Sequence, residues 1–148
     1  MGASTTTIPL IEPARGVTED MIRRLVVTFY DRVLEDRELG PIFRQALSHR
    51  WDEHLAVMVD FWSSVALRTG RYQGKPQQAH QGMALVAEYF ARWLALFEAT
   101  ARELCEPEIA EFFVDRAWRI ADSLQIGLNI GSKALHLHSC LTMNGARG

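Results

Sequence analysis

From Thr18 to about Leu128 the apolar residues recur at steps of three and four, and no stretch in 18–130 alternates with period two for long enough to form a strand. That periodicity restricts the chain to helices packed on helices, so the expected class is all-α. Thr18 suits an N-cap, with Glu19 and Asp20 behind it at the positive end of the helix dipole. Ile22, Leu25, Val26, Phe29, Tyr30 and Val33 then mark one buried face. Gly40-Pro41 is expected to end this helix, with Pro41 opening a short turn that carries Ile42 and Phe43. A second helix is expected from about Ser48 to Arg68, its inward stripe being Trp51, His54, Leu55, Met58, Phe61, Trp62 and Val65. Gly70, Gly74 and Pro76 break the chain across residues 69–79, and His80 stands directly after them. A third helix should run from about Met83 to Leu104 with Val86, Phe90, Trp93, Leu94 and Phe97 on one face. Pro107 opens a fourth that continues to about Leu128.

A length of 148 residues fits one domain with a real core. Residues 1–16 are polar, contain Pro9 and Pro13, and read as a flexible arm. Residues 17–130 carry the domain, and 131–148 read as a flexible tail in which Leu135-His136-Leu137-His138 alternates too briefly to build on. The formal charge of −2 and the absence of a Lys/Arg cluster set nucleic acid aside. Cys105 and Cys140 form neither a disulfide scaffold nor a C-x-x-C pair, which argues against a zinc ribbon, a redox pair and covalently attached haem. The first residues lack the basic start and apolar run of a secretory signal. Gly2 fits a loose myristoylation pattern of the kind that chance often produces. No apolar run approaches the roughly 20 residues of a membrane span, so no membrane partner is expected and the expected compartment is the cytoplasm.

Aromatic residues at helical spacing are ordinarily core, and a histidine on an apolar face is ordinarily a hydrogen-bonded core residue. Three features argue for more. His54 lies within an apolar stripe, where an imidazole needs a partner or a cavity. Tyr30 places a hydroxyl beside Phe29 on an inward face. His80 takes its direction from a broken loop rather than from an amphipathic face. Two histidines on separate segments, with a phenol and flat aromatics between them, could line a slot for a planar ligand, which is the combination that haem requires.

The residues also resemble a known family. Phe29-Tyr30-Asp31-Arg32-Val33, Asp36, Leu39-Gly40-Pro41-Ile42-Phe43, Trp51-Asp52-Glu53-His54-Leu55, Asp60-Phe61-Trp62, Tyr72-Gln73-Gly74-Lys75-Pro76, His80 and Phe90-Ala91-Arg92-Trp93-Leu94-Ala95-Leu96-Phe97 follow one another in the order and spacing of the group III truncated haemoglobins. The Gly-Gly pairs of the other truncated groups are missing, as in group III. The likeness covers about residues 17–130. It implies a two-over-two helical sandwich around non-covalent haem b, with the proximal ligand on a largely non-helical segment. It further implies that His80 is the proximal iron ligand, and that Tyr30, His54 and Trp93 form the distal side, with His54 a gate, a ligand-bonding group or a sixth iron ligand.

The apolar wall of such a pocket is expected from Phe29, Phe43, Met58, Phe61, Trp62, Phe90 and Phe97, with Tyr72 near the propionates. Arg68, Lys75 and Arg92 are further candidates for the propionates. No residue is assigned as catalytic. His80 has no carboxylate among its sequence neighbours, which suits gas binding better than peroxide cleavage. The expected partners are O2, NO and CO. Redox detoxification, such as NO dioxygenation or a peroxidase-like reaction, would add an unidentified electron donor. A haem-based sensor is a second reading, although no output domain is attached. A helical interaction module without haem, with His49 and His54 on a metal, is a third, but a spacing of five separates two residues around a helix.

Overall fold

The computed structural model describes residues 14–130, which form six helices: α1 (Glu19–Glu35), α2 (Leu39–Leu47), α3 (Trp51–Leu67), α4 (Pro76–His80), α5 (Ala87–Leu104) and α6 (Pro107–Leu128). Among the described residues there is no strand, and no helix is long and apolar enough to cross a membrane. The tail that contains His136, His138 and Cys140, and the arm before Ala14, lie outside the described residues. Ala14 itself is held to the end of α3, its backbone N–H donating to the Ala66 carbonyl at 2.7 Å.

Local sequence accounts for most helix ends. The Thr18 hydroxyl accepts from the Met21 N–H at 3.1 Å and caps α1. Pro107 occupies the first turn of α6, where its missing N–H costs nothing. Two expectations fail at proline. Gly40-Pro41 does not close a helix but lies in the first turn of α2, which runs through Phe43 to Leu47. Asp36 makes this possible, its Oδ2 accepting from the N–H groups of Glu38 at 3.0 Å and Leu39 at 2.9 Å. Likewise Pro76 starts a five-residue helix, so His80 is the last residue of α4 rather than part of a non-helical segment. Gly82 follows at φ +85°, a conformation that favours glycine, and α5 begins at Ala87, later than its apolar period suggested.

The core joins two helix pairs, α1 with α3 and α5 with α6. Trp62 of α3 is 1% exposed and stacks on Phe97 of α5, with ring centroids 5.1 Å apart, while its edge meets Phe113 of α6 at 5.6 Å. Phe29 of α1 meets Phe97 edge-to-face at 5.1 Å. Each such pair adds about 0.5–1.5 kcal/mol beyond area burial. Helix α1 therefore cannot rotate without carrying Tyr30, the residue next to Phe29, out of place.

Candidate functional site

Helix α3 presents two apolar faces instead of the single stripe read from its sequence. Val59, Trp62, Ser63 and Ala66 are buried in the core. His54, Met58, Phe61 and Val65 are only partly covered. At about 100° per residue these four fall in one line along the helix, centred roughly 120° away from the buried set. The structure thus leaves an apolar face of α3 half-open, with an imidazole at its upper end.

Around that imidazole an aromatic cluster converges from three helices. The His54 ring lies 4.8 Å from Tyr30, 5.4 Å from Trp51 and 6.3 Å from Phe43, centroid to centroid. Tyr30 is 3% exposed, and burial pushes its phenol well above the ordinary tyrosine range. The Trp93 indole N–H donates towards the phenol oxygen, which opposes part of that rise. Trp93 also stacks on Phe97, with centroids 5.5 Å apart and planes 6° apart, so it packs and donates at once. His54 is pushed down to about 4, first by desolvation and then by the positive charge that His80 and Arg50 would set against its own. It is therefore neutral at pH 7. Its Nε2 is buried and has no hydrogen-bond partner, the one side-chain atom so placed among the described residues. Orphaned buried nitrogens are uncommon and ask for an explanation.

His80 ends α4, near enough to His54 for a positive charge on it to oppose one on His54. Its Nδ1 lies 2.6 Å from the Pro76 carbonyl, a contact that requires Nδ1 to carry the proton and leaves the lone pair on Nε2. The approach to His80 is tied at three points. The Tyr72 N–H donates to the Ser64 hydroxyl at 2.9 Å, and Gln77 donates to the Gly127 carbonyl of α6 at 3.0 Å. Arg71 bridges Glu19 of α1 and Asp60 of α3, at 2.9 and 3.0 Å.

The expected wall residues divide into two groups. Phe43, Met58, Phe61 and Tyr72 are partly exposed, whereas Phe29, Trp62 and Phe97 are fully buried in the core and Phe90 is 8% exposed. Arg92 is committed elsewhere, to an ion pair with Asp36 at 2.8 Å, which holds Asp36 well below the usual carboxylate range, at about 2. It is thus not a free cation for a propionate. His49 is exposed, in the turn before α3, and among the described residues no three His, Cys, Asp or Glu side chains converge as a metal cluster. Sequence reading placed Trp51 on the inward stripe of α3 but gave it no part in the site. Asp36 entered the sequence reading only through the family resemblance, without a role, and Arg71 gave no local signal at all.

No family model matches the chain. Over 113 residues it is 33% identical to a group 3 truncated haemoglobin of Campylobacter jejuni, an alignment covering 74% of this chain and 89% of that protein. The chain belongs to the group III truncated haemoglobins. A crystal structure of a group III truncated haemoglobin from Campylobacter jejuni matches the fold with a TM-score of 0.72 at 32% identity, covering 78% of this chain and 94% of that one. A truncated haemoglobin implies a haem cofactor, and the residues present fit one. The half-open face of α3 is apolar, the His80 Nε2 makes no hydrogen bond among the described residues, and the Nε2 of His54 is buried without a partner.

Proposed function

We propose that this truncated haemoglobin binds haem b between α3 and α4, with His80 as the iron ligand, and takes up O2, NO and CO reversibly on the side of Tyr30, His54 and Trp93. The observation that carries this reading is the buried, unpartnered Nε2 of His54 on a half-open apolar face beside His80. Without a ligand there, its desolvation has no compensation. Haem would supply an iron that binds diatomic gases.

The chain's own residues would do the rest. The Pro76 carbonyl accepts the Nδ1 proton of His80, fixing the tautomer and leaving Nε2 for the iron. That carbonyl is a neutral partner that lends the imidazole no anionic character, which favours gas binding over cleavage of an O–O bond. Met58 and Phe61 exclude water from the face below His54, and Tyr72 closes the edge by its contact with Phe61, with centroids 5.1 Å apart.

On the distal side Trp93 donates to the Tyr30 oxygen. A hydroxyl that accepts one hydrogen bond becomes a stronger donor in the next, so the relay sharpens Tyr30 towards a diatomic ligand. Burial keeps Tyr30 a phenol, and hence a donor, throughout the working pH range. His54 stays neutral and adds no charge. The test is a CO difference spectrum of the haem-loaded, dithionite-reduced protein. A sharp shift of the Soret band on adding CO supports the reading; a spectrum that CO leaves unchanged would defeat it.

A further inference from the structure

Helix α4 carries His80, yet it buries none of its five residues. A helix that short has no stability of its own, so its direction comes from what ties it to the rest of the chain. It packs against α6, and among the described residues one side-chain hydrogen bond joins the two. The amide of Gln77, the residue after Pro76, donates to the Gly127 carbonyl at 3.0 Å.

The α6 end is shaped for that bond. Gly127 lies in the last turn of α6, where carbonyls have no partner within the helix. The Asn129 N–H, which closes α6, turns to the Gln125 and Ile126 carbonyls and leaves that of Gly127 to Gln77. Glycine weakens a helix relative to alanine, so its presence here asks for a reason. The reason is space. A Cβ at Gly127 would stand 2.5 Å from the Gln77 Oε1 and 2.7 Å from its Cδ, closer than real Cβ atoms come. The amide therefore rests on a position that glycine alone leaves open.

From Gln77 the tie reaches His80 in one turn. The Pro76 carbonyl, next to Gln77 in the chain, lies 2.6 Å from the His80 Nδ1, so the first residue of α4 orients the ring of the last. Fixing Gln77 on α6 fixes both that carbonyl and the backbone that carries the ring. We propose that Gln77, seated on Gly127, is a positioning residue for His80: it locks α4 to the end of α6 and holds the imidazole in one orientation for the iron. This rests on the haem-binding reading above.

The test compares the full-length chain with Gln77→Glu and Gly127→Ala. At pH 7 the first keeps the side chain's length and loses its donor, so two acceptors meet. The second keeps the donor, pushes it off its seat and favours α6 by propensity. Both positions are exposed, so neither change disturbs the core. The first arm is resonance Raman spectroscopy of the reduced, haem-loaded proteins. A freed imidazole takes several orientations, so the iron–His80 stretching band should broaden in both variants. Haem transfer to excess apomyoglobin should quicken about two- to tenfold, as loss of one neutral hydrogen bond implies. A bond that served stability alone would move the thermal midpoint and leave the band as narrow as the parent's. The second arm follows hydrogen exchange of the Ala79 and Gln81 amides in the haem-free chain. These donate to the Lys75 and Gln78 carbonyls, and both variants should exchange them about two- to tenfold faster.

A band broadened in both variants supports the role, and a band unchanged in either overturns it. A parent without a Soret band defeats the haem-binding reading instead. The exchange arm then decides whether Gln77 orders α4: faster exchange upholds the tie, and parental protection in the variants overturns it.

Discussion

Replacing Tyr30 by Phe removes one oxygen from the centre of the distal cluster, and its effect can be worked from what that oxygen touches. The residue is 3% exposed, so water does not compete for its proton, and its oxygen accepts from Trp93. A hydrogen bond to a partner bearing charge contributes about 1.5–3 kcal/mol. At 1.4 kcal/mol per factor of ten, O2 should leave roughly 10- to 100-fold faster from Tyr30→Phe. Trp93 acts through Tyr30 in this account. Losing its polarisation weakens the tyrosine's bond by about 10–30%, so Trp93→Phe alone should speed release by no more than about fourfold. In the Tyr30→Phe background Trp93→Phe should then add nothing, because the relay has lost its second member. A tryptophan that instead donates directly to the ligand would accelerate release in both backgrounds, and the effects would multiply. The assay is stopped-flow displacement of O2 by CO in the four haem-loaded proteins. An off-rate for Tyr30→Phe within twofold of the parent would refute the role of the phenol. A Trp93→Phe effect that survives without the phenol would refute the relay.

Three further outcomes follow from the same geometry. His54 falls from an ordinary 6.5 to about 4 in the folded chain, so the unfolded chain takes up a proton first as the pH drops. Stability of the haem-free protein should be complete above about pH 6.5 and decline by about 2 kcal/mol towards pH 4, after allowance for a partly exposed ring; urea melts should show this slope in the parent and not in His54→Leu. Asp36 is held at about 2 against an ordinary 3.8, by Arg92 and by the N–H groups it caps, so its contribution is present above about pH 4 and lost as the pH falls towards 2. Asp36→Asn should cost about 1 kcal/mol at pH 7 in the same melts, and an unchanged midpoint would count against the clamp. A Cβ at Gly40 would run into the Leu34 carbonyl, a backbone atom that cannot step aside. Gly40→Ala should therefore lower stability by about 1–3 kcal/mol, read as a drop in thermal midpoint.

The all-α class and the boundaries of α6 were legible because apolar period and a capping proline agree there. Legibility failed where one residue type carries two meanings. Gly40-Pro41 and Pro76 read as helix breaks, yet each proline sits in a first turn that tolerates it; for Pro41 it is Asp36, folded back over α2, that shows which meaning holds. His54 stood out because an imidazole in an apolar stripe demands an explanation. That the stripe is two faces, one buried at Trp62 and one half-open at Phe61, depends on where α5 and α6 pack, and the period of α3 alone does not contain it. The bridges from Arg71 to Glu19 and from Arg92 to Asp36 join residues more than fifty positions apart, and helical periodicity carries no information at that range.

The central claim is that His80 offers its Nε2 to a haem iron while Pro76 holds its other nitrogen. The most direct measurement is the absorption spectrum of the haem-loaded parent beside that of His80→Gly, recorded with and without added imidazole. The account predicts an intense Soret band in the parent, its loss or displacement in His80→Gly, and its return when imidazole fills the space left by the side chain. A His80→Gly spectrum that matches the parent's without imidazole would contradict it.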